Sequence, residues 1–213
     1  MRRFWPPVVL AGIAAGGAAL ALSSPRALAG EVAAPPRTFS VEAAEALVQK
    51  LDTMARRAQK KKPPREKTVT VTEGELNSYL NLTLAKKIPK GITDLEVTME
   101  RDRLAARALV DLAEVQGKIP AGSMGGLLAF LSGKVPLLAR GRVQPTEAGF
   151  GAISIEEVQL STLPIPVSVV EQLIGSATKS AESPEGFDIR SPFRLPYDLK
   201  RIRLQPGQAL LEY

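Results

Sequence analysis

Three pairs of extended segments, each joined by a turn, constrain the fold of this chain more than any other feature. In the first pair Leu95, Val97 and Met99 alternate with Glu96, Thr98 and Glu100, and Arg101-Asp102-Arg103 then turns the chain into residues 104–115. Leu104, Ala106, Ala108, Val110 and Leu112 share one face of that return segment, and only that face is cleanly apolar. Residues 135–143 and 151–160 form the second pair, and residues 199–205 and 208–213 form the third around Pro206-Gly207. Period-two alternation bounded by Gly, Pro and Asp predicts β-hairpins, and hairpins build antiparallel sheets.

Helical periodicity fills the intervals. Ser40 is placed to cap a helix of about eighteen residues in which Ala44, Leu47, Val48, Leu51, Met54, Ala55 and Ala58 recur at three- and four-residue steps. Residues 68–72 alternate Thr and Val as a strand, and Thr72-Glu73-Gly74-Glu75 reads as a capping box opening a helix that carries Leu76, Tyr79 and Leu80 on one face. A short, nearly all-apolar helix is expected over residues 123–131, and another after Pro166, with Val167, Val170, Leu173, Ile174 and Ala177 on one side. The order helix, strand, helix, then alternating hairpins and helices predicts an α+β domain with its helices on one face of an antiparallel sheet.

The N-terminus predicts where such a domain works. Arg2 and Arg3 precede an uncharged apolar run over residues 8–22, and Ala27-Leu28-Ala29 offers a small-x-small cleavage site. Residues 1–29 therefore read as a cleavable signal peptide of the general secretory route, cut after Ala29. A membrane anchor is the weaker reading, because a spanning helix needs about 20 apolar residues. Residues 30–39 read as a linker and 40–213 as one domain, periplasmic or secreted. Removing 29 residues from 213 leaves 184, enough for one core.

Composition closes many functional classes. The chain has no Cys and no His, so Ser-His, Cys-His and zinc chemistry cannot be built, nor can a disulfide or a lipoprotein thioether. Glu73 and Glu75 are explained by the helix start, and Glu156 and Glu157 point to opposite faces of a strand. No catalytic residue, cofactor or metal site is expected. Without Arg2, Arg3 and Arg26 the chain carries 25 basic and 22 acidic residues, a net charge of +3. Residues 56–67 alone hold +6, with Arg56, Arg57, Lys60, Lys61 and Lys62 ending the first helix. That cluster reads first as a solvated helix end, and second as a contact with an anionic membrane surface. Basic residues are not interleaved with aromatic ones over a face, so a nucleic-acid partner is not expected.

Two stretches carry a resemblance. Thr68-Val69-Thr70-Val71-Thr72-Glu73-Gly74-Glu75-Leu76-Asn77-Ser78-Tyr79-Leu80 is a strand feeding a helix, and Val158-Gln159-Leu160-Ser161-Thr162-Leu163-Pro164-Ile165-Pro166 is a strand running into the last one. With the closing stretch over residues 195–207, they resemble the tubular lipid-binding (TULIP) type, in particular short bacterial envelope proteins similar to the LmeA-like phospholipid-binding family. The resemblance implies a curved antiparallel sheet wrapped around a long helix, with further helices packed on one face and a groove for acyl chains between them. It implies no catalytic residue. Only one copy of the unit is visible, which implies a half-tube whose open groove invites a homodimer or an envelope protein partner.

The functional expectation is an exported envelope protein that binds a lipid or other elongated apolar ligand, for lipid transport or envelope maintenance. Leu76, Tyr79, Leu80, Leu127, Leu128, Leu131, Val170, Leu173 and Ile174 are the expected groove lining. The alternative is a non-enzymatic structural or assembly module that turns the same apolar surface to a protein partner.

Overall fold

A computed structural model describes residues 39–59, 68–88, 90–115, 132–145, 148–177 and 186–213, together with 179 and 184. The signal, nearly all of the linker, Lys60, Lys61, Lys62, the helix expected over 123–131 with Leu127, Leu128 and Leu131, and the side chain of Leu173 lie outside the described residues. The fold is α+β, and its strands form two antiparallel sheets that do not close into a barrel.

Helix α1 spans Val41–Ala58 and is capped by the Ser40 side chain, which accepts the Ala43 N–H. Strand β1, Thr68–Thr72, leads into α2, Glu73–Ser78, which continues through a π turn at Tyr79–Thr83 and a 3-10 turn at Ala85–Lys87. The capping box expected there is present: Glu75 N–H donates to Thr72 Oγ1, and Thr72 N–H donates back to the Glu75 carboxylate. β2 (Ile92–Glu100) and β3 (Arg103–Asp111) form the first hairpin, with Asp102 in the left-handed region at φ 59. β3 ends four residues before the expected boundary, because residues 112–115 wind into α3, Leu112–Val115.

The second hairpin joins β4, Lys134–Pro145, to β5, Phe150–Leu160. A short β6, Leu163–Ile165, then precedes α4, Val167–Ala177. β7 (Phe193–Arg194) and the hairpin of β8 (Arg201–Gln205) and β9 (Gln208–Glu212) close the chain. The larger sheet runs β2-β3-β4-β5-β6, with β7 on the end of β5; the smaller runs β1-β9-β8. Pro206 and Gly207, the latter at φ 79, supply the residues a type II turn requires between β8 and β9.

The free edge of β2 is covered by a stripe of α2 side chains. The Glu73 carboxylate accepts the Met99 N–H; Asn77 Oδ1 accepts the Val97 N–H at 2.7 Å while its Nδ2 donates to Val97 O at 2.9 Å; Asn81 Nδ2 donates to Leu95 O at 2.6 Å. Four helical residues rise about 6 Å and two strand residues advance about 6.6 Å, so an i, i+4, i+8 stripe keeps step with every second strand residue. The helix thereby satisfies edge groups that would otherwise invite another strand. The two sheets are bonded at the same corner: Glu73 N–H donates to Gly207 O at 2.9 Å, and Gly207 N–H to Met99 O at 3.0 Å.

The main core lies between α1, α2 and the inner faces of both sheets. It joins Leu47 of α1, Val71 of β1, Leu76 and Leu80, Val97 and Met99 of β2, Leu104 of β3, Leu204 of β8 and Ala209 of β9. A second cluster joins Met54, Leu195 and Leu199 beneath the segment between β7 and β8.

Candidate functional site

Between these clusters the packing leaves an apolar cavity of about 100 Å³. Leu47, Leu51 and Met54 form its α1 wall, on one stripe because their spacing repeats at helical steps. Val71, Ile202, Leu204, Ala209 and Leu211 contribute the smaller sheet, and Met99, Leu104, Val143 and Ile153 the larger. Leu76 closes the α2 side. Phe193, Leu195, Pro196, Tyr197 and Leu199 lie across the remaining side, and Phe150, 41% exposed, stands with exposed Gln144 where the wall meets solvent.

The covering segment packs closely over Gly151. A Cβ there would sit 3.1 Å from Leu195 Cδ2 and 3.5 Å from Phe193 Cζ. The segment is held by Leu195 N–H donating to Gly149 O at 2.8 Å, and by Lys200 N–H donating to Glu212 O at 2.7 Å. Tyr197 and Asp198 adopt φ 54 and 56, consecutive left-handed conformations that L side chains disfavour. Backbone strain is thus stored at Tyr197, which lines the cavity, and at exposed Asp198 beside it.

Among the described residues, Gln144 and Tyr197 are the only polar side chains in the lining, and none is charged. Burial pushes the Tyr197 phenol up, with Tyr79, Asp52 and Tyr213 adding to the effect, so it remains a neutral hydroxyl at physiological pH. Nearby, Lys50 Nζ is 2.6 Å from Glu75 Oε1 and donates to Thr70 O at 2.8 Å. Burial raises the Glu75 carboxyl, but the Lys50 ammonium and the Thr72 N–H outweigh burial and hold it below its ordinary range. A cavity lined in this way can hold an apolar group.

Of the residues expected to line a groove, Leu76 does line the cavity. Leu80, 1% exposed, and Ile174 belong to the main core; Tyr79 and Val170 are half-buried and pack against it. Sequence reasoning passed over Met54, Phe150, Phe193, Leu195 and Tyr197. The α1 stripe was the available signal for Met54, and Leu195-Pro196-Tyr197 stood in the stretch that carries the resemblance.

Arg56 is exposed, its Nε donating to Asp52 O at 3.3 Å, and Arg57 is half-buried. The carboxylates weighed for chemistry have structural partners: Glu73 on Met99 N–H, Glu75 on Lys50, and Glu156 with Arg142 at 3.2 Å and Arg103 at 3.7 Å. Among the described residues no group of His, Cys, Asp and Glu could hold a metal, and no helix is long and apolar enough to cross a membrane. Compared with known proteins, the chain matches no family model, no curated protein and no solved structure.

Proposed function

We propose that this domain is a non-enzymatic binder of a lipid or similarly apolar ligand, working in the cell envelope after export. The observation that carries the reading is the uncharged cavity between α1 and the two sheets, roofed by a strained segment. The cavity's aliphatic and aromatic lining suits the apolar part of a ligand.

The finer architecture implied by the resemblance, a curved sheet wrapped around a long helix as a half-tube, is part of this proposal, as are the signal peptide and the contact of Arg56, Arg57 and Lys60–Lys62 with anionic lipid. Native mass spectrometry of protein purified without detergent, followed by solvent extraction, tests it. Recovery of a co-purifying apolar molecule is expected; repeated recovery of empty protein would reject ligand binding.

One observation favours a second reading, in which an envelope protein or a second copy is the partner. Phe39 and Val41 at the start of α1 and Leu82 in the π turn are exposed, and Ser40 N–H donates to Ser78 Oγ at 3.1 Å, joining the two segments at one end of the domain. Pull-down with Leu82→Asp beside the unaltered chain separates the readings, since only a partner held at that end is lost.

A further inference from the structure

The cavity is small for the ligand class just proposed, and its size decides how such a ligand must sit. Drug-sized ligands occupy pockets of roughly 300–1,000 Å³. A dry cavity of about 150 Å³ accepts benzene, a molecule of six carbons. This one measures about 100 Å³, so its capacity is about four to six carbons.

Polarity decides which end enters. Among the described residues, a carboxylate or phosphate inside would meet no cation and only the Gln144 amide and Tyr197 hydroxyl, an expensive transfer for an ion. Exposed Gln144 and part-exposed Phe150 mark the wall that opens to solvent. We propose that the site takes the terminal four to six carbons of a single alkyl chain and leaves the rest of the ligand, with its polar group, outside at the Phe150–Gln144 mouth. This rests on the ligand-binding reading above and narrows it: the occupant is a one-tailed amphiphile, or one tail end of a larger lipid.

Titration calorimetry of the full chain, stripped of bound lipid, with straight-chain carboxylates of four to fourteen carbons below their micelle concentrations tests it. Each carbon that enters apolar surroundings raises affinity about fourfold. Affinity is expected to climb at that rate to about six carbons and then level off. Ala209→Leu, which puts three carbons into the lining, should move the plateau about three carbons shorter; Leu204→Ala should move it about as far longer.

A rise that continues to fourteen carbons, or a plateau unmoved by both substitutions, overturns the tail-end proposal while leaving ligand binding standing. Absence of binding at every length removes both. Thermal melts of the two variants show whether each is folded, and two sites of opposite effect keep the test decisive if one variant fails.

Discussion

Asn77→Ala should be among the most damaging polar substitutions in this domain, although Asn77 is only half-buried. Its side chain makes two hydrogen bonds to one strand residue, accepting from Val97 N at 2.7 Å and donating to Val97 O at 2.9 Å. Val97 is 1% exposed, so truncation leaves a buried N–H and a buried C=O without partners. Each unsatisfied group costs about 1–3 kcal/mol. Water reaching the site past the half-exposed helix face places both at the low end, for a total of about 2–3 kcal/mol.

Asn77→Asp sharpens the test. It keeps an acceptor for the Val97 N–H but sets a carboxylate oxygen against the Val97 carbonyl, so its own pKa rises. That variant should lose about 1–2 kcal/mol at neutral pH and regain part of it as pH falls through the raised pKa, when the carboxyl acquires a proton to donate. Urea titrations followed by circular dichroism give both numbers, with exposed Gln172→Ala as the reference. If Asn77→Ala stays within about 0.5 kcal/mol of that reference, the helix does not satisfy the β2 edge in the way described.

Three further outcomes follow from the same geometry. Glu75 is held below the ordinary carboxylate range, so its pairing with Lys50 stabilises the fold above that range and is lost as pH falls through it; Glu75→Gln should flatten the acid limb of a stability–pH curve below about pH 4.5. Gly151→Ala should raise stability by about 0.5 kcal/mol in chemical denaturation, because Leu195 can yield into the cavity and the unfolded chain loses freedom. Asp198→Gly should raise stability by a similar amount, about 0.5 kcal/mol, since relief of the left-handed conformation exceeds the entropy glycine adds to the unfolded state; the exposed Arg194 pair at 3.9 Å contributes little.

The hairpins were legible because alternation and turn chemistry are local: Asp102 and Pro206-Gly207 announce the reversals they make. The α1 cap and the capping box at Thr72 were legible for the same reason. Pairing of β1 with β9 was not, since Val71 meets Ala209 across 138 residues and nothing in either strand names its partner. That pairing splits the strands into two sheets and so creates the space the cavity occupies. Leu76 and Leu80 show why cavity lining could not be separated from core: both sit on one helical face four residues apart, yet Leu76 borders the cavity while Leu80 is sealed in packing. Both environments select the same side chains, and only the three-dimensional gap distinguishes them.

The central claim is that an apolar ligand enters between α1 and the sheets, and methionine methyl spectra test it directly. Met54 and Met99 line the cavity, one on α1 and one on β2. Protein labelled at the methionine methyls and titrated with octanoate should show the Met54 and Met99 resonances, assigned by Met→Leu variants, moving together in a saturable way. Met54 and Met99 resonances that stay in place at concentrations that saturate calorimetric binding would contradict the account.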